Sequence, residues 1–425
     1  MAVDLHDLKR YGFLIKMEAK NMTREFIGYS EALALTLGNI TNLDTETVNL
    51  SECQDRVAVC DLYALVDSPS VDASLKDGFA ICSKDIEHAS IENPVALKLL
   101  GSAAAGIPFE GVMGNMCAVK ILTGGKIPHG ADAVVSEEFT VVDGDKVIVM
   151  NHSEPGRNIF SKGKDVAVGE CMVKKGTRLS PGLIGILAAA GHSDVSVFRR
   201  PRVAMIATGD EVVMPGKPLP EGKLYASNLA TLNAWCRRFG MSVTMAQVSD
   251  NPDLIKEKIV HAMDNNDALI TSGGAWKGDR DLVAAMLEQL GWTQYFHRIR
   301  IGPGKAVGFG ILKGKPVFVL PGGPPSNLLA FLAIALPGLV KLEGGTGHAL
   351  PVIHVRTGKR IAVRDKNWTQ FIFGTVEAGD DYPVFMPLEL DSRLHSMAMA
   401  QAVIAVSEGM DGMEHGQVTT AWNLL

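Results

Sequence analysis

Three stretches of this sequence concentrate residue types able to hold and act on an anion. Thr208-Gly209-Asp210-Glu211, Thr271-Ser272-Gly273-Gly274 and Leu320-Pro321-Gly322-Gly323-Pro324-Pro325-Ser326 each follow a short apolar run. Glycine lets the main chain approach an anion closely, and the unpaired N–H groups of a following helix point at it. One glycine turn between a strand and a helix is ordinary turn chemistry. Two in one sheet, with Ser272 and Ser326 as added donors, favour a site for a phosphorylated small molecule. Asp210, Glu211 and Asp281 fall on neighbouring strand tips. Carboxylates gathered there repel one another unless a cation such as Mg2+ sits between them with a phosphate. Glu211 with Asp281 favours the metal, whereas Asp279 serves equally well as a helix cap or as a ligand. Gly302-Pro303-Gly304-Lys305 sets Lys305 on a stiff turn near Arg298 and Arg300, a reasonable anion contact.

These residues need a scaffold that brings strand tips together. Between Arg202 and Leu342 the chain alternates strands and helices. Strands are expected at 203–207, 242–248, 268–271 and 316–320, and helices at 229–239, 252–264, 281–290 and 325–339. Such alternation predicts right-handed βαβ units on a parallel sheet, with ligands outside the carboxyl ends of the strands. Residues 76–149 read instead as short strands split by Gly and Pro turns, a small β domain. Gly344-Gly345-Thr346-Gly347 reads as a linker, and Val352 to Leu425 as all-β. The expected division is 1–66 with 150–198 (elongated), 67–149 (β), 199–345 (α/β) and 350–425 (β-barrel-like).

Composition narrows the class. The chain has 425 residues, 47% of them apolar, which suits two to four domains with real cores. A net charge of −6 without basic blocks argues against a nucleic-acid binder. Six cysteines lack zinc-ribbon spacing and read as buried, reduced thiols. The polar first ten residues are no secretory signal, and the apolar run Leu328 to Val340 is too short to span a bilayer. A cytoplasmic protein without membrane contact is expected.

In sequence order the motifs resemble the molybdopterin molybdenumtransferases, the family of bacterial MoeA and the E domain of gephyrin. Lys76-Asp77-Gly78-Phe79-Ala80 is similar to the family's (M)DGYA, and Leu122-Thr123-Gly124-Gly125-Lys126-Ile127-Pro128-His129-Gly130-Ala131-Asp132-Ala133-Val134-Val135 to TGAxxPxGADAVV. Gly156-Arg157-Asn158-Ile159 through Asp165 resembles GxxIRxxGxD. Thr208-Gly209-Asp210-Glu211 matches TGDE, Ser272 through Asp281 resembles SGGVSVGxxD, and Leu320 through Ser326 resembles LPGNPVS. The resemblance covers nearly the whole chain. It implies a parallel α/β sandwich of the molybdopterin-binding type, small mainly-β domains and an elongated N-terminal segment. It also implies a homodimer whose active cleft lies between the subunits. The implied reaction takes adenylylated molybdopterin (molybdopterin-AMP) and molybdate, or tungstate, and releases AMP with Mg2+ as helper. Implied protein partners are an adenylyltransferase and recipient molybdoenzymes.

By motif position, Asp77, Glu211, Asp281 and Lys305 would be catalytic, with Asp77, Glu211 and Asp281 on the metal. Thr123, Arg157, Thr208, Asp210, Ser272, Gly273, Gly274, Asp279, Pro321, Gly322, Ser326 and Ser392 would bind the cofactor. The sequence departs from the family at the oxyanion. Gly302 stands where a lysine is usual and Phe373 where an arginine is usual, with Arg300 or Lys277 as substitutes. Two lost charge-assisted bonds of ~1.5–3 kcal/mol each predict weaker molybdate binding. A MoeA-like binding module that holds the pterin or a partner enzyme without inserting metal is the alternative that this loss suggests.

Overall fold

Hydrophobic patterning gathers the chain into two compact units, one of residues 47–54 and 60–196, the other of the remainder. This computed structural model describes residues 26–273, 282–345, 349–389 and 393–425. Helix α1, Tyr29–Gly38, opens the described chain in the second unit.

The first unit is built around a six-stranded sheet. Its strands are β1 Gly78–Ile81, β2 Val95–Ala103, β3 Cys117–Ile121, β4 Ala133–Ser136, β5 Thr140–Asp143 and β6 Lys146–Val149, in the order β4-β1-β3-β2-β6-β5. Period-two alternation splits its apolar residues between two clusters. Phe79, Ile81, Leu97 and Val135 are buried in one, and Ala80, Val119, Ile121 and Val134 in the other. Gly78 is dictated by packing, since a Cβ there would lie 2.0 Å from the Val135 carbonyl oxygen. Helix α2, Pro181–Ala189, starts where Ser180 Oγ accepts the Leu183 N–H and Pro181 needs no donor.

The second unit holds the alternating segment. Its elements are β7 Arg202–Thr208, α3 Ser227–Arg238, β8 Ser242–Val248, α4 Pro252–Asn265, β9 Ala268–Ser272, α5 Leu282–Gln289, β10 Thr293–His297, β11 Gly308–Leu312 and β12 Lys315–Leu320. The sheet order is β8-β7-β9-β12-β11-β10. β8, β7, β9 and β12 are parallel, as expected. At one edge the sheet adds strands that the alternating pattern did not announce, with β11 antiparallel to both β12 and β10. Lys313 and Gly314, at φ 50° and 75°, form the two-residue turn between β11 and β12.

After β12, Pro324–Ala330 (α6) runs through a wide π turn, Phe331–Ala335, into Leu336–Leu342 (α7). Pro337 supplies no N–H, and the loosened turn before it accommodates the ring. The 19 residues Pro324–Leu342 are apolar enough to cross a membrane, but 78% of that stretch is buried in the core, as expected for a core helix.

The C-terminal strands are β13 Val352–Thr357, β14 Thr369–Glu377, β15 Val384–Pro387, β16 Ala402–Val406 and β17 Val418–Asn423. β14 pairs with both β15 and β16, which closes a ring β14-β15-β13-β17-β16. This region is not all-β: helix α8, Arg393–Met399, precedes β16. Gly344 and Gly345 do not behave as a free linker. A Cβ on Gly344 would strike the Phe198 ring at 2.2 Å, and one on Gly345 would lie 2.6 Å from Val340. All six cysteines are free, but only Cys53 and Cys236 are buried, and burial pushes the Cys236 thiol up to about 12.

At the amino-terminal edge of the α/β sheet, Asp267 ties two strands together. Arg199 grips it with both nitrogens, at 2.8 and 2.9 Å, and the Arg202 N–H donates at 2.8 Å. Its side chain is 6% exposed. Burial alone would raise its pKa. The bonds from Arg199 and Arg202 outweigh that and hold the carboxyl well below the usual carboxylate range. The tie therefore stabilises the fold fully above the unfolded pKa of ~3.9 and fades as pH falls below it. Asp267→Asn is expected to cost about 2 kcal/mol at pH 7, the low side for a buried pair because the guanidinium groups keep water. Thermal melts at pH 7 and pH 3 check this, and the gap between variant and wild type must shrink at pH 3.

Candidate functional site

The strand order fixes where a ligand sits. From β7 the chain moves outward to β8, then crosses back to β9 on the other side of β7. The strand order therefore reverses between β7 and β9, and such a switch point is where a crevice opens at the carboxyl ends of the strands. Thr208 ends β7 and Ser272-Gly273 ends β9. Gly273 has φ +100°, and a Cβ on it would lie 2.7 Å from the Thr208 carbonyl oxygen, so no side chain fits. Its N–H donates to the Leu320 carbonyl at 3.2 Å, which draws the end of β12 into the same crevice. Three of the anion-holding stretches expected from sequence thus meet here.

The crevice is lined by uncharged donors. Thr208 Oγ1 is buried and finds no partner among the described residues. Ser272 Oγ accepts from Asn228 Nδ2 at 3.2 Å and Asn327 Nδ2 at 3.0 Å. The same nitrogens donate to the Gly322 and Pro321 carbonyls, each at 2.8 Å. Neither asparagine stood out from sequence. The usable signal was position, since each lies in the first turn of a helix that leaves a loaded strand tip. Among the described residues, a Cβ on Gly322 would touch Gly273 Cα alone, at 3.8 Å. Ser326 is half-buried in the first turn of α6.

Asp210 and Glu211 are exposed beside β7. Asp210 Oδ1 accepts the Asp250 N–H at 3.2 Å, and the Glu211 carboxylate folds over Gly209, where a Cβ would lie 2.5 Å from its Oε2. Among the described residues no group of three His, Cys, Asp or Glu side chains assembles to hold a metal. Gly274, Asp279, Asp281, Lys277 and Ser392 lie outside the described residues.

Lys305 is exposed, and its carbonyl accepts the Ile299 N–H at 3.0 Å. The oxyanion expectation at Phe373 is corrected. Phe373 is 1% exposed in the core shared by β14 and the α/β elements, so an arginine there would bury its charge. Arg300 is no spare cation either. It donates to the Phe26 carbonyl and pairs with Glu408 at 3.0 Å. At Gly302 a Cβ would meet the Gln370 amide at 3.0 Å.

In the first unit, Asp77 and Thr123 are brought together. Asp77 Oδ1 accepts the Thr123 N–H at 2.6 Å and its hydroxyl at 2.8 Å. These two bonds, the backbone one first, hold the carboxyl below its ordinary value. Arg157 is exposed, with its carbonyl accepting the Val134 N–H at 3.0 Å.

Fold and crevice define an α/β protein with a glycine-lined crevice at the switch point of a doubly wound sheet. Residues 27–191 match the family model of the MoeA N-terminal region (domain I and II), and residues 204–341 match that of a "Probable molybdopterin binding domain". The molybdopterin molybdenumtransferase of Bacillus subtilis (strain 168) is 32% identical over 382 residues, 88% of either chain. That of Haemophilus influenzae is 33% identical over 302 residues, 71% of this chain and 73% of its own. The crystal structure of a molybdopterin biosynthesis MoeA protein from Pyrococcus horikoshii OT3 superposes with a TM-score of 0.81 at 27% identity, over 94% of this chain and 100% of that one. The chain belongs to the molybdopterin molybdenumtransferase, or MoeA, family.

Gly322 separates site from scaffold, because a Cβ fits the protein there but projects into the crevice. Gly322→Ala is expected to leave the melting temperature within about 2 °C, as for a surface change of under ~0.5 kcal/mol. Affinity for molybdopterin should fall at least tenfold, read by calorimetry. Unchanged affinity would show that the ligand does not approach Gly322.

Proposed function

We propose that this chain catalyses molybdate insertion in molybdenum-cofactor biosynthesis. Adenylylated molybdopterin and molybdate are its substrates, and AMP is released as the metal joins the dithiolene. The observation that carries the reading is the Gly273–Gly322 crevice at the switch point, in a chain whose relatives bear that name. Thr208, Ser272 and the main chain around Gly273 and Gly322 would hold the phosphorylated end of the ligand. Lys305 would offer the molybdate dianion a compact positive charge.

Mg2+ binds through one or two carboxylates together with phosphate oxygens. Glu211, with Asp210 beside it, fits that role only when the substrate supplies the remaining oxygens. When bound, the ion would neutralise charge developing on the phosphate. Asp77, held ionised by Thr123, is the further carboxylate that the family motif assigns to this role. A homodimer in the cytoplasm accompanies this reading, with an adenylyltransferase and molybdoenzymes as protein partners. The alternative of a pterin-binding module drew on charges missing at Gly302 and Phe373. Those charges are still missing, but relatives named molybdopterin molybdenumtransferase favour the transferase.

The test combines purified protein, adenylylated molybdopterin, molybdate and Mg2+, and follows AMP and dithiolene-bound molybdenum. Wild type should release AMP in step with molybdenum incorporation. Glu211→Gln should slow AMP release about a hundredfold, the scale of one electrostatic group, while Kd for molybdopterin changes less than threefold. Pterin binding by wild type without AMP release at any molybdate concentration would sink the enzyme reading.

A further inference from the structure

Around Ser272 the hydrogen-bond directions are fixed by chemistry. A carbonyl oxygen only accepts, so the atoms of Asn228 and Asn327 that face the Gly322 and Pro321 carbonyls must be the amide nitrogens. Each of these nitrogens also reaches Ser272 Oγ, at 3.2 and 3.0 Å. Both hydrogens of each NH2 group are thus spent, and the serine oxygen accepts twice. A hydroxyl has two lone pairs and one proton. With both lone pairs filled, only the proton remains for a further bond. Asn327 is 1% exposed and Ser272 is 5% exposed, so water does not easily substitute for these donors.

We propose that Asn228 and Asn327 are positioning residues that hold the Ser272 hydroxyl as an obligate donor toward the ligand. Resting on the function proposed above, this assigns the spot beside Ser272 to an acceptor oxygen of the pterin substrate, on its phosphate or on its ring. A ligand presenting an N–H or O–H there meets a donor against a donor and is rejected. The tether also connects three chain segments, α3, the end of β9 and the β12–α6 turn. Its position therefore couples the shape of the crevice to the polarity of one atom.

The experiment is a double-mutant cycle on the full chain, read as Kd for molybdopterin and as KM and kcat for AMP release. Ser272→Ala should weaken binding about tenfold, the value of one hydrogen bond to a ligand oxygen. Asn327→Leu, close in volume, should weaken it several-fold. The double variant should be no weaker than Ser272→Ala, because both changes act through one hydroxyl. In each, KM should rise while kcat stays within about twofold, as for a contact made equally in ground and transition states. A merely structural loss would lower kcat through the active fraction. Should Asn327→Leu fail to fold, Asn228→Ala, at a half-buried position, completes the same cycle. Competition by inorganic phosphate tells the two oxygen sources apart. A phosphate acceptor makes phosphate a weaker competitor against Ser272→Ala than against wild type, whereas a ring acceptor leaves it equal. Wild-type affinity in Ser272→Ala, or additive losses in the double variant, overturns the proposal. Wild-type protein that does not bind molybdopterin at all overturns the functional reading, and this inference falls with it.

Discussion

The site depends on the close approach of Gly273 to the carbonyl of Thr208. Two parallel neighbours, β7 and β9, end side by side where the strand order reverses. At that point a Cβ on Gly273 would sit 2.7 Å from the Thr208 carbonyl oxygen. Without a side chain the backbones close up, and the Gly273 N–H reaches the end of β12. Three strand tips then share one crevice, and the helices that follow two of them begin beside it. Asn228 and Asn327 are within reach of Ser272 for that reason. A larger residue at 273 would separate the tips and disconnect both amides.

Much of this was legible in the sequence because the relevant signals are local. Val203 to Ala207 and Ala268 to Ile270 are unbroken apolar runs, as strands covered on both faces must be. The start of α4 is declared by Asn251-Pro252, and Asn251 Oδ1 does cap the Asp253 and Leu254 N–H groups. What stayed hidden has non-local causes. β11 contains two glycines that conceal its strand character, and Gly310 is required because a Cβ would lie 2.4 Å from the Trp292 indole nitrogen. Gly344 looks like a linker residue but makes room for Phe198. The asparagine tether was invisible for the same reason, since its partners are 44 to 94 residues away or turn carbonyls.

Phe373 shows a different limit. A motif carries over residue positions, but a strand also assigns each position a face. Along β14, Phe371 and Phe373 pack into the core shared with the α/β elements, while Ile372 packs into the barrel core. Position 373 is therefore occupied by an aromatic residue for packing. The charge expected there from sequence could be restored only by opening the core. Gly302 is not constrained in that way, since a Cβ there would meet only the end of the flexible Gln370 side chain at 3.0 Å among the described residues.

The character of the crevice follows from these placements. Among the described residues its lining consists of hydroxyls, main-chain groups and carboxamides, with Asp210 and Glu211 exposed just past the end of β7. Oriented neutral donors stabilise an anion when they are preorganised and water is scarce, because they need not reorganise when it binds. They also do not titrate between about pH 5 and 9, in contrast to histidine. On the proposed function the phosphates of the adenylylated ligand form a pyrophosphate diester with no proton to lose in this range, so neither the lining nor the ligand changes charge there. The two carboxylates past the end of β7 oppose a bare dianion nearby and favour one that arrives with a cation. A pocket of this kind discriminates by geometry and by the direction of each hydrogen bond, and so the polarity of the single Ser272 hydroxyl matters to it.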